Sequence, residues 1–117
     1  MKKRIALLVM LFVMVLGMNA MAVEQRAAGG TPVLSFSGAT ATCYVDCKGN
    51  NPMDDVKATL TLYQGNSYVD SWSEEDTGSA FVYGQATVRS GKSYRLVLTY
   101  TINDVAQTPV SITKTCP

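Results

Sequence analysis

The chain has 117 residues, ten Lys or Arg against nine Asp or Glu, and no histidine. Without histidine, Ser-His-Asp and Cys-His catalysis in their ordinary forms are excluded, and so is the commonest zinc ligand. There is no Gly-rich phosphate loop and no G-x-S-x-G elbow, so no catalytic, cofactor-binding or metal site is expected and the chain does not read as an enzyme.

The opening stretch, MKKRIALLVMLFVMVLGMNAMA, has a basic head (Lys2, Lys3, Arg4) followed by an apolar run over residues 5–16. That run is short of the ~20 residues that span a bilayer. Ala20-Met21-Ala22 then supplies an A-x-A cleavage site. These are the three parts of a secretory signal peptide, predicted over 1–22. The alternative, an uncleaved anchor, fits less well because the small-residue site follows the apolar run directly. No cysteine follows closely enough for a lipid anchor. Cleavage after Ala22 leaves seven basic and nine acidic residues, a net charge of −2, with no footprint for nucleic acid or anionic lipid. No second long apolar segment follows, so no membrane span is expected after cleavage. The expected location is secreted, in a compartment that permits disulfides, and the remaining length suits one domain.

Residues 23–31 (VEQRAAGGT) are small and polar and read as a flexible leader before a domain over 32–117. An edge strand is expected near 33–36. Residues 39–47 alternate with period two, placing Ala41, Cys43, Val45 and Cys47 on one face and Thr40, Thr42, Tyr44 and Asp46 on the other. KGNNPMDD, 48–55, reads as a loop. Residues 56–63 alternate again, with Val56, Ala58, Leu60 and Leu62 inward, and turn at Gln64-Gly65-Asn66 into a return strand over 67–72. SEEDTG, 73–78, reads as a polar loop. Residues 79–88 form a weaker strand that Gly84 interrupts, as at a bulge. RSGK turns the chain into the strongest strand, 93–102, with Tyr94, Leu96, Leu98, Tyr100 and Ile102 on one face. A turn at Asn103-Asp104 leads to a last strand over 108–116, with Val110, Ile112 and Cys116 inward. Six or seven short strands at this spacing predict an all-β fold, an antiparallel Ig-like β-sandwich, with a small closed barrel as the alternative.

Three cysteines are an odd number. Cys43 and Cys47 share one face of a strand, about 13 Å apart at the strand rise, beyond the ~7 Å a disulfide spans between Cα atoms. A bridge therefore runs from Cys43 or Cys47 to Cys116. The remaining thiol is either free or available for a disulfide-linked dimer. Cys47 adjoins a loop and is expected nearer solvent, which makes it the candidate for that role.

The acidic groups Glu74-Glu75-Asp76 and Asp54-Asp55 read chiefly as solvated loop residues. A weak calcium site at 74–76 or paired-carboxylate hydrolysis are the sharper alternatives. Tyr44 and Tyr63 fall on outward faces, where they can pair across strands or, with Trp72, form an aromatic binding surface. A lone Trp in a small sandwich is more often packed between the sheets. Outward threonines at 40, 42, 59, 61, 99 and 101 are ordinary strand formers.

The pieces "TCYV", "ATLTLYQG", "SW" before a polar stretch, "SGKSYRLVLTYT" and a terminal "TC" together resemble an uncharacterised group of small exported Ig-like proteins of Gram-positive bacteria. The resemblance covers 42–117. It implies the fold and export but no activity. Its usual pattern of one early and one late cysteine favours a structural Cys43–Cys116 bridge, as does the position of Cys43 nearer the middle of its strand. Cys47 departs from that pattern. Such a bridge would close a 73-residue loop, worth roughly 4 kcal/mol in the chain-entropy account. The expected function is a non-enzymatic extracellular module that binds a protein or a cell-surface polymer, with an extracellular protein or a polysaccharide as the candidate partners. The alternatives are a carbohydrate-binding module, which requires exposed aromatics in a row, and a small toxin or bacteriocin-like protein.

Overall fold

The computed structural model describes residues 28–117; the signal peptide expected over 1–22 and residues 23–27 of the leader lie outside the described residues. These are 70% strand and contain no helix. Eight strands follow in order: β1 Val33–Ser37, β2 Thr40–Lys48, β3 Asp55–Gln64, β4 Ser67–Thr77, β5 Ser79–Thr87, β6 Ser93–Ile102, β7 Val105–Ala106 and β8 Val110–Thr115.

They form two antiparallel sheets, not a closed barrel. One is three-stranded, ordered β1-β2-β5. The other runs β4-β3-β6, with β7 and β8 both paired to β6. The chain crosses between sheets from β2 to β3, from β4 to β5 and from β5 to β6. This is an antiparallel β-sandwich. The period-two patterns have a direct cause. Ala41, Cys43, Val45 and Cys47 of β2, Val56 to Leu62 at every second position of β3, and Tyr94, Leu96 and Leu98 of β6 all lie buried between the sheets.

Tyr94 fixes one corner. Its ring is buried near the start of β6 and lies 5.9 Å from Phe36. Its Oη accepts the Arg89 N–H at 2.7 Å and donates to Gln64 Oε1 at 3.1 Å. A tyrosine bonded to the backbone a few residues upstream is a recurrent device of Ig-like sandwiches.

Several expectations change. SEEDT is not a loop, because β4 continues to Thr77 opposite β3. Glu74, Glu75 and Asp76 lie on an edge strand exposed on both faces, where a polar run satisfies a strand as well as a loop. A bulge does occur in this hairpin, between Leu62 and Tyr63. None occurs at Gly84, where β2 and β5 pair without a register shift. The 23–31 leader is partly held: Gly29 donates to Lys48 O at 2.7 Å and accepts from Lys48 N at 3.0 Å, in the same register as β1. A Cβ on Gly29 would meet Tyr100 Oη at 2.5 Å, and its φ is +91°, so glycine is required there. The Asn103-Asp104 turn has positive φ at both residues. That geometry makes a tight hairpin and adds the two-residue β7. Pro109, with no N–H to give a ladder, stands just before β8.

Candidate functional site

The outward positions of β2 and β5 come together on the outer face of the three-stranded sheet. Tyr44 pairs with Tyr83, Asp46 with Phe81, and Val33 of β1 with Tyr44. The relative exposures are 37% for Tyr44, 53% for Tyr83, 55% for Phe81 and 38% for Val33. The Tyr44 and Phe81 ring centroids are 6.0 Å apart and tilted by 36°. Polar side chains close both ends of this patch. At one, Gln85 Nε2 donates to Thr42 Oγ1 at 3.2 Å. At the other, Lys48 Nζ meets Asp46 Oδ2 at 2.7 Å. The β2–β5 register is unbroken across this surface.

Beneath this face Gly84 is buried, and a side chain there would occupy the space of the Trp72 indole. Trp72 reaches from β4 across the sandwich and packs half-buried against the core. The glycine in β5 is thus the seat of an aromatic ring rather than a break in the strand.

The aromatic surface expected from Tyr44, Tyr63 and Trp72 is therefore not assembled from those three residues. Tyr63 belongs to β3, in the other sheet, so it cannot pair with Tyr44. Its ring is covered by the Arg95 guanidinium, 4.6 Å from the centroid. Trp72 faces inward. Tyr44 instead joins Phe81 and Tyr83, which sequence reasoning missed as a group. The available signal was the alternation of SAFVYG, but Ala80 and Val82 are as apolar as Phe81 and Tyr83, so hydropathy alone could not fix the phase.

The outer face of the five-stranded sheet is hydroxyl-rich, and Thr59 Oγ1 and Ser73 Oγ lie 2.8 Å apart there. Along β4 the acidic residues point alternately to opposite sides. Among the described residues, no group of three or more His, Cys, Asp or Glu is arranged to hold a metal ion.

Asp54 is not a solvated loop residue. It is 8% exposed, and its carboxylate accepts from the backbone N–H of Asn50 at 2.9 Å, from that of Asn51 at 3.0 Å and from Asn103 Nδ2 at 3.1 Å. These bonds, the Asn103 amide foremost, hold its pKa below the ordinary 3.8. Asp54 ties the 49–54 loop to the β6–β7 turn, a structural role.

All three cysteines are buried, free thiols. The Cys43–Cys116 bridge is not formed, and Cys47 does not reach solvent, being 0% exposed. The reason is axial position. Cys116 sits beside the β1–β2 turn, its Sγ 4.0 Å from Gly38 O. Cys43 lies three residues up β2 from the start of that strand, about 10 Å at the strand rise, and Cys47 lies a further four residues on. Burial raises the Cys43 and Cys47 pKa values to about 11, helped by the charges of Asp70 and Asp46 respectively. Neither thiol is suited to react at neutral pH.

An open groove of about 550 Å³ runs between the neighbouring edges of β4 and β5, lined by Thr40, Val69, Asp70, Gln85, Ala86 and Thr87. It adjoins the Gln85 end of the aromatic face. No protein-family model matches this chain, and no curated protein matches it either.

Proposed function

We propose that this chain is a secreted, non-enzymatic β-sandwich module that binds an extracellular protein or cell-surface polymer through the outer face of its three-stranded sheet. The observation that carries this reading is the exposed cluster of Tyr44, Phe81, Tyr83 and Val33. The fold does not need these rings in water, and contiguous exposed apolar patches on soluble domains tend to mark interaction sites. Export is supported by the basic head, apolar run and A-M-A site of residues 1–22, and it places the face toward the cell envelope or the medium. The short pieces that resemble small exported Ig-like proteins point the same way.

The test is co-sedimentation of the folded protein with cell-envelope material of the producing organism, alongside Tyr83→Thr and Phe81→Thr. Binding lost in both variants supports the reading. Binding that both variants retain, or no binding by the parent, removes it. The N-terminus of protein recovered from the medium checks export and should be Val23.

A further inference from the structure

We infer that the ligand of the aromatic face is an uncharged polysaccharide, stacked on Tyr44, Phe81 and Tyr83. This rests on the proposed reading of that face as the binding surface, and three features of the face narrow the occupant.

The first is area. Three rings exposed by 37%, 53% and 55%, each of order 200 Å² in full, offer together only about 300 Å² of aromatic surface. A stable protein–protein interface buries about 800 Å² on each partner. The rings alone supply less than half of that area, whereas a narrow chain molecule does not need more.

The second is spacing. Adjacent strands stand about 4.8 Å apart and alternate residues about 6.8 Å along a strand, and the Tyr44 and Phe81 rings are 6.0 Å apart. The Tyr44 and Phe81 rings are thus separated by about the length of one pyranose unit. A pyranose presents an apolar C–H face that stacks on a ring and a rim of hydroxyls that seek hydrogen bonds. Thr42 and Gln85 at one end, Asp46 and Lys48 at the other, and the two phenol hydroxyls supply donors and acceptors around the rings. A lipid surface would have no use for that polar fringe.

The third is charge. On this face Asp46 and Lys48 neutralise each other at 2.7 Å, and the outward neighbours Ser35, Thr42, Ser79 and Gln85 are neutral. An anionic polymer, whether phosphate- or uronate-rich, finds no unpaired cation here.

The experiment is affinity electrophoresis of the full folded domain in native gels containing hydroxyethylcellulose, xylan, laminarin or galactomannan, with alginate as the anionic control. The expected result is retardation by at least one neutral polymer and none by alginate. Retardation disappears in Tyr83→Thr and Phe81→Thr, persists in Tyr83→Phe and is unchanged in Tyr63→Thr on the opposite face. Thermal melting of each variant confirms that the fold survives. Absence of retardation by all four neutral polymers, retardation by alginate, or retardation that outlasts both threonine variants overturns the inference. If the neutral polymers fail while Tyr83-dependent sedimentation with envelope material persists, the polysaccharide falls and the binding face stands. If sedimentation does not depend on Tyr83 and Phe81 either, both fall.

Discussion

Across β2 and β5, the outward residues facing each other are Tyr44 and Tyr83; across β3 and β4, they include Thr59 and Ser73. β2 and β3 are alike in length and in their buried alternation, and both close the same core. Hydroxyl side chains fill the middle of the β3–β4 outer face, and Tyr63 and Tyr68 face each other only at its hairpin end, so the mid-strand rings of the other sheet answer to something besides folding. Tyr63 makes the same point from within the hydroxyl-rich sheet. Its outward ring is covered by Arg95, so its surface is used inside the molecule.

The comparison breaks first at its foundation. Gly84→Val places a side chain in the space of the Trp72 indole, under the aromatic face. It should cost about 3 kcal/mol, read as a lowered urea midpoint.

Alkaline pH tests the wall behind the rings next. Cys43 and Cys47 ionise near 11 when folded, against 9.0 as the ordinary value. Their folded pKa values are raised, so their contribution is complete below pH 9 and is lost as pH climbs toward 11. The loss should be on the order of 1 kcal/mol per thiol, and Cys47→Ala should flatten the fall in melting temperature over that window. Iodoacetamide at pH 8 should label no cysteine in the folded protein and all three after unfolding.

Asp54 serves both sheets, because its loop joins β2 to β3. Its pKa is depressed, so its contribution is present above 3.8 and is lost as pH falls through the lower folded value. Asp54→Asn should melt a few degrees lower at neutral pH and show a shallower decline on acidification below pH 4.

Tyr83→Thr converts part of one face into the other. Its stability should change by less than about 1 kcal/mol, the range of a cross-strand pair, while binding to envelope material is lost. The smallest effect lies on the five-stranded sheet. Thr101 Oγ1 is buried without a hydrogen-bond partner, so Thr101→Val should raise stability by about 0.5 kcal/mol, measured by urea denaturation.

Alternation made the strands legible wherever one face is buried, as in β2, β3 and β6. It failed over Ser73 to Thr77, because an edge strand exposed on both faces has no apolar phase to read. It could not announce β7, which is two residues long. It assigns a residue to a face of its strand but not the strand to a sheet, so Tyr44 and Tyr63 looked like partners and are not. The inward direction of all three cysteines was readable. Their height along the sandwich was not, and height decides pairing. Asp54 hid among loop residues because its partner Asn103 lies 49 positions away.

The contact of Trp72 with Gly84 also bears on how this sequence can drift. Either residue, changed alone, leaves a collision or a hole, so descendants that keep the fold should replace them together. A side chain at 84 would accompany a smaller residue at 72, and a large ring at 72 would keep glycine at 84. The pair would then vary as one character, although twelve positions and a change of sheet separate them.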